Sequence, residues 1–182
     1  MTFEKTVTLK DGRNCLLRNG VTSDGKAVLD VFNRTHEETD YLLTYSDENC
    51  FTASQEADFL QRKTDSTNTV EIIAVVDGVV AGTAGIDALG MRDKIKHRAV
   101  FGIAITKEFW GLGIGKSLME ACIECAREAG YLQLELEVVA ENERAVEMYR
   151  RAGFIEYGRN PKAFRLRTEE YQELIDMRLE LK

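Results

Sequence analysis

The chain has 182 residues, 44% hydrophobic and 30% charged, with a net charge of −7 at neutral pH. This composition supports a sizeable core, so residues 1–182 are expected to form a single domain, and it argues against disorder. The negative charge disfavours nucleic acid, which needs a basic footprint, and suits a cationic partner such as an amine.

Residues 1–7 lack the apolar run of a secretory leader, and no stretch approaches the roughly 20 apolar residues of a membrane-spanning helix. The chain is therefore expected in the cytoplasm, off the membrane, with its four cysteines reduced. Alternation over 3–9, the turn pair Asp11-Gly12 and apolar residues in 14–18 predict an opening hairpin. Thr22 or Ser23 is placed to cap a helix through Arg34, with Val28, Leu29, Val31 and Phe32 apolar. Residues 36–49 read as irregular and acidic, carrying Glu37, Glu38, Asp40, Asp47 and Glu48 beside Tyr41 and Tyr45. Thr52 and Gln55 fit a capping box for a helix through Lys63 that turns Ala57, Phe59 and Leu60 inward.

Two buried strands, 70–76 and 79–86, flank the turn Asp77-Gly78. A polar loop over 87–97 leads to a strand at 99–105. A helix over 114–129 stops at Gly130. Its Cys122 and Cys125 share one apolar face with Leu118, Ala126 and Ala129, so the C-x-x-C is read as core packing rather than a zinc or redox site. A strand at 132–138 places Leu134, Leu136 and Val138 on one face. Asn142 caps a helix through Ala152, which Gly153 ends. Phe154–Gly158 reads as a strand, 159–170 as polar connection, and 173–181 as the strand that closes the sheet. The strand–helix–strand from 99 to 138 requires a parallel crossover.

The most informative stretch runs from Gly102 to Met119. Gly111, Gly113 and Gly115 fall on alternate residues between a strand and a helix. Glycine permits positive φ and close backbone approach, and a helix N-terminus adds unpaired N–H groups and a positive dipole end. Together these make a phosphate cradle from the backbone amides of Gly111, Leu112, Gly113, Ile114, Gly115 and Lys116. A triphosphate loop, G-x-x-x-x-G-K-S, would need glycine at Trp110. The dinucleotide pattern G-x-G-x-x-G meets Lys116 or Leu118 at its third glycine.

What remains, x-x-G-x-G, resembles the acetyl-coenzyme A loop of the GCN5-related N-acetyltransferase (GNAT) superfamily, Arg/Gln-x-x-Gly-x-Gly/Ala. Gly113 and Gly115 match, and Trp110 stands where the family has Arg or Gln. A second block, from Leu134 through Asn142, Ala145 and Tyr149 to Gly153-Phe154, resembles the family's strand–Asn-x-x-Ala-x-x-x-Tyr-x-x-x-Gly-Phe segment. The clear resemblance covers roughly 70–158.

It implies an α/β fold of the α+β kind: a mixed, mostly antiparallel sheet of about seven strands with helices on both faces. The two parallel strands are implied to splay around the coenzyme's pantetheine arm, which Ile103, Ala104 and Ile105 would bind through their backbone. It implies acetyl-coenzyme A as cosubstrate and no metal, in a monomer or homodimer. The acceptor would be a primary amine, on a small molecule or on a protein terminus or lysine. By the same resemblance Asn142 contacts the coenzyme and Tyr149 protonates its departing thiolate. Glu137 is similar to the base glutamate of ribosomal-protein alanine N-acetyltransferases; Glu135, His97 and a water chain are the other candidates. Residues 36–49 would wall the acceptor site. The competing reading is a coenzyme-binding module without catalysis.

Overall fold

A computed structural model describes residues 1–181. The elements follow in the order β1 Glu4–Thr8, β2 Asn14–Asn19, α1 Gly25–Glu38, α2 Ala53–Asp65, β3 Val70–Val76, β4 Val79–Ala88, β5 Arg98–Ile105, α3 Ile114–Glu128, β6 Gln133–Val139, α4 Glu143–Arg151, β7 Ile155–Arg165 and β8 Tyr171–Glu180. One sheet holds all eight strands in the order β1-β2-β3-β4-β5-β6-β8-β7. It is antiparallel except between β5 and β6. Among the described residues no helix is long and apolar enough to cross a membrane.

Local chemistry explains most boundaries. The β3–β4 hairpin turns through Asp77 at φ 51° and Gly78 at φ 81°, the positive pair that a two-residue turn needs to match strand twist. At α2, Thr52 Oγ1 accepts the Gln55 N–H and Gln55 Oε1 accepts the Thr52 N–H, closing the capping box. The start of α1 differs from expectation. Neither Thr22 nor Ser23 caps it; the Asp24 carboxylate accepts the Val21 N–H at 2.9 Å and holds Arg18 in two bonds of 2.6 and 2.8 Å. The helix also runs on to Glu38. Residues expected to be polar connection after 158 extend β7 to Arg165. The sheet has eight strands, against the about seven that the resemblance implies.

The layers follow from β3, which is apolar on both faces as a central strand must be. Its Val70, Ile72, Ala74 and Val76 share a core with Leu118, Cys122 and Ala126 of α3. Ile73 turns the other way, onto Val28 of α1 and Leu60 of α2. Val146 and Tyr149 of α4 join the α3 core. The thiols are core groups: Cys122 and Cys125 are essentially fully buried. Burial pushes Cys125 up to about 12 and Cys122 well above the ordinary thiol value, so neither is poised as a thiolate.

The crossover is the feature that matters for function. β5 and β6 pair only through Arg98–Gln133, Ala99–Leu134 and Val100–Glu135. Beyond that rung each strand is held by its outer neighbour, β5 by β4 as far as Ile105 and β6 by β8 as far as Val139. The sheet therefore opens as a wedge from Phe101 onward, leaving alternate backbone groups of β5 facing the gap.

A largely buried acid lies on the α2 side of β3. Glu71 sits so close to Gly85 that a Cβ there would stand 2.1 Å from Oε2, and Lys63 Nζ is 3.9 Å from the same oxygen. Desolvation outweighs the lysine and raises the carboxyl to about 7. Below pH ~4.5 both folded and unfolded chains hold this proton; as pH rises through 7 the folded chain gives it up at a cost, so stability falls over that window. Glu71→Gln, a neutral isostere, is expected to raise the melting temperature by roughly 5 °C at pH 8 and leave it unchanged near pH 4.5. Thermal melts at the two pH values check this; equal melting temperatures at pH 8 would count against it.

Candidate active site

After β5 the chain makes a single 3-10 turn, Lys107–Phe109, before the glycines. Thr106 is buried, and both its N–H and its hydroxyl donate to the Ala81 carbonyl, at 3.0 and 3.1 Å. The loop is thereby anchored to β4. Gly111 has φ 86° and Gly113 φ 100°, and a Cβ at either would meet no atom within 4 Å. Backbone conformation, not crowding, demands glycine at these two sites, and the space above them is open. Gly115 has the opposite reason. Its φ is ordinary, but a Cβ would press on Met148 Sδ at 3.2 Å and Ile105 Cδ1 at 3.3 Å, so its small size lets α3 approach α4 and β5.

Gly113 begins α3 with no side-chain cap. The first backbone bond of the helix is Ser117 N–H to the Gly113 carbonyl, and among the described residues the amides of 111–116 have no acceptor. Six consecutive N–H groups at a positive helix end, with open space above, fit an anion such as a diphosphate. The Lys10 N–H donates to the Leu112 carbonyl at 3.1 Å, tying the loop to the β1–β2 turn as well.

Trp110 does something its position did not foretell. Its indole Nε1–H donates to the Ile105 carbonyl at 2.7 Å, closing the loop back on the end of β5. Lys107 Nζ and the Arg144 guanidinium lie 5.7 and 5.6 Å from the ring centroid. The ring thus gathers two cations beside the glycines, although the residue itself is apolar where the family has a polar one.

Ile103, Ala104 and Ile105 lie half-buried on β5, along the open wedge. Asn142 caps α4, its Oδ1 accepting the Ala145 N–H at 3.3 Å, and among the described residues its amide N–H groups have no protein acceptor. The Tyr149 ring is 5% exposed. It meets Phe101 edge-on at 6.1 Å and Phe154 at 5.8 Å. Phe101 is the first β5 residue past the last paired rung, so Tyr149 stands at the vertex of the wedge. Burial pushes the phenol above its ordinary value, so it stays protonated.

Glu137 lies on the other face. Leu134, Leu136 and Val138 enter the α3 core, while Glu137 is exposed opposite them, in register with Asp176 of β8. Tyr149 and Glu137 thus flank the wedge from its two sides. Glu135 is already spent, its carboxylate held by the Arg98 guanidinium. His97 gives its backbone carbonyl to the N–H groups of Leu132 and Gln133.

The acidic segment after α1 is less free than its composition suggests. The Glu38 carboxylate accepts the Lys107 N–H at 2.6 Å, and Glu48 accepts the Tyr45 N–H at 2.7 Å. Asp47 takes two bonds from Arg167 Nη2 at 2.7 and 2.9 Å, and the Tyr45 hydroxyl accepts the Arg167 N–H at 3.0 Å. Arg167 belongs to the β7–β8 turn, so this segment bridges to the far half of the split sheet.

Comparison with known proteins agrees with this fold. The model of the acetyltransferase (GNAT) family matches residues 28–154. The L-amino acid N-acetyltransferase of Escherichia coli K12 is 31% identical over 112 residues, 61% of this chain and 68% of that protein. A GNAT-family acetyltransferase structure from Streptococcus pneumoniae superposes with a TM-score of 0.87 at 27% identity, covering 91% of this chain and 99% of that one. The yncA protein of Salmonella typhimurium, solved with its cofactor acetyl-CoA, superposes with a TM-score of 0.82 at 16% identity over 93% and 95% of the two chains.

Proposed function

Because the chain belongs to the GNAT acetyltransferase family, we propose that it transfers the acetyl group of acetyl-coenzyme A directly to a primary amine. The observation that carries this reading is the wedge between β5 and β6, with the unpartnered amides of 111–116 at its mouth and Tyr149 at its vertex. Bound acetyl-coenzyme A would supply an activated acetyl thioester and a thiol leaving group.

The chain's own residues divide the remaining work. Amides 111–116 hold the diphosphate, with Lys107 and Arg144 adding positive charge beside Trp110. Backbone groups of Ile103, Ala104 and Ile105 align the pantetheine arm, and an amide among them stabilises the charge that develops on the carbonyl oxygen. The Asn142 side chain contributes a further contact. The Tyr149 hydroxyl donates a hydrogen bond to the departing sulfur. An alkyl ammonium titrates near pH ~10 and must lose a proton before it can attack. Glu137, directly or through water, receives that proton on the acceptor face. No cysteine nucleophile is invoked: Cys15, Cys122 and Cys125 are buried in the core, and the exposed Cys50 lies just ahead of α2 rather than on β5, β6 or the glycine loop. The acceptor amine belongs to a small molecule or a protein; similarity to an L-amino acid N-acetyltransferase favours the small molecule. Use of this cosubstrate suits the cytoplasm.

Free-thiol release from acetyl-coenzyme A across an amine panel tests the proposal. Amine-dependent release supports it. Tight coenzyme binding with no release for any amine would leave a binding module, and absence of coenzyme binding by isothermal titration would reject both readings.

A further inference from the structure

On the face of the sheet opposite α3, a cavity of about 300 Å³ is lined by Lys94, His97, Arg98, Gln133, Glu135, Tyr157 and Arg178. Not all of its hydrogen-bond donors are spent. Arg98 closes a two-pronged pair on Glu135, with Nη2–Oε2 at 2.7 Å, and the Tyr157 hydroxyl donates to the same carboxylate at 3.5 Å. That pair cancels. Arg178, the register partner of Glu135, has no acceptor in hydrogen-bonding alignment among the described residues. Its Nε is shut off from solvent, and the nearest carboxylate oxygen, Glu180 Oε1, lies 3.2 Å away but out of line. The guanidinium is held 5.7 Å from the Tyr157 ring centroid. Lys94 forms no ion pair among the described residues. Arg178, ion-paired with Glu180 but with no aligned hydrogen bond, and Lys94 thus keep donors unspent, a guanidinium fork and an ammonium that match the two oxygens of a carboxylate.

We propose that this cavity binds a carboxylate of the acceptor, one lying about five bonds from the amine that is acetylated. The spacing comes from the strands. Glu135 and Arg178 stand one two-residue step before Glu137 and Asp176, which is about 7 Å along the sheet. Alongside this step the floor on β5 is bare: Val100, the register partner of Glu135, is 39% exposed, and a Cβ on Gly102, one two-residue step on, would meet nothing within 4 Å. A short methylene chain can lie over Val100, with its amine at the level of Glu137 and its acid on Arg178. The α-amine and side-chain carboxylate of L-glutamate have this separation; an α-carboxylate alone is too near the nitrogen. The inference rests on the transfer reading above, which places the amine beside Glu137.

L-glutamate and L-glutamine differ in the charge of that one group, so they read the cavity directly. The wild-type protein is expected to favour glutamate by at least about tenfold in kcat/KM, the scale of one charge-assisted hydrogen bond. In Arg178→Gln the preference should fall to within about threefold, through KM rather than kcat. A wild-type ratio near one, or a ratio unchanged in the variant, overturns the assignment. Titration of L-glutamate into the coenzyme A-loaded protein reads the cavity without turnover. Binding to wild type but not to Arg178→Gln, with neither amino acid acetylated, would uphold the cavity and reject the transfer reading. Equal binding to both proteins would reject the cavity.

Discussion

Replacing Tyr149 with phenylalanine is expected to lower turnover by about a hundredfold while coenzyme affinity stays within about twofold. The change is clean because the ring and the hydroxyl have separate duties. The ring packs between Phe101 and Phe154, and phenylalanine keeps those contacts. No protein hydrogen bond to the hydroxyl is present among the described residues, so none is broken by its loss. Burial holds the phenol above its ordinary value. Tyr149 therefore enters every turnover protonated, and it should contribute no inflection to the pH–rate profile below pH ~10. Steady-state kinetics with a titrated coenzyme dissociation constant checks both halves. Unchanged kcat would remove Tyr149 from the reaction.

The second large effect belongs to Gly113. At φ 100° any L side chain is strained, at a cost on the order of 1–3 kcal/mol. A Cβ there strikes no protein atom, so valine folds at that cost but projects into the space above the unpartnered amides. Gly113→Val is expected to weaken acetyl-coenzyme A binding by about a hundredfold. Gly78→Ala supplies the control. Gly78 also has positive φ and open surroundings, but it sits in the β3–β4 turn. It should lose comparable stability and no coenzyme affinity. Isothermal titration and thermal melts on both variants separate strain from binding, and equal affinities for the two would contradict the cradle.

Features that were legible beforehand are those whose physics is local. The Thr52–Gln55 box, the Asp77-Gly78 turn, Gly113 at the head of α3 and Asn142 at the head of α4 each mark the sequence where the backbone needs them. Features that depend on distant partners left no such mark. The second half of β7, beyond Gly158, read as polar connection because the strand is an edge, mostly exposed, paired only with β8, and interrupted between Asn160 and Phe164 where Pro161 falls. The start of α1 was misplaced because its carboxylate is fixed by Arg18 from β2.

The same division runs through the candidate site. The glycine loop and the α4 residues stood out by spacing. The indole bond from Trp110 to Ile105 did not, since an apolar substitution in a polar position looks like a loss. Glu135 and Glu137 alternate identically in sequence, and only the strand register shows one paired with Arg98 and the other exposed across from Asp176. Arg178 is about forty residues from Glu135 and carried no signal until β8 was placed beside β6.

The most direct measurement is a crystal structure of the protein with acetyl-coenzyme A. It should place diphosphate oxygens within about 3 Å of the 111–116 amides, the pantetheine arm between β5 and β6, and the sulfur beside the Tyr149 hydroxyl. A coenzyme seated elsewhere, or β5 and β6 zipped together with Tyr149 turned from the sulfur, would contradict the mechanism.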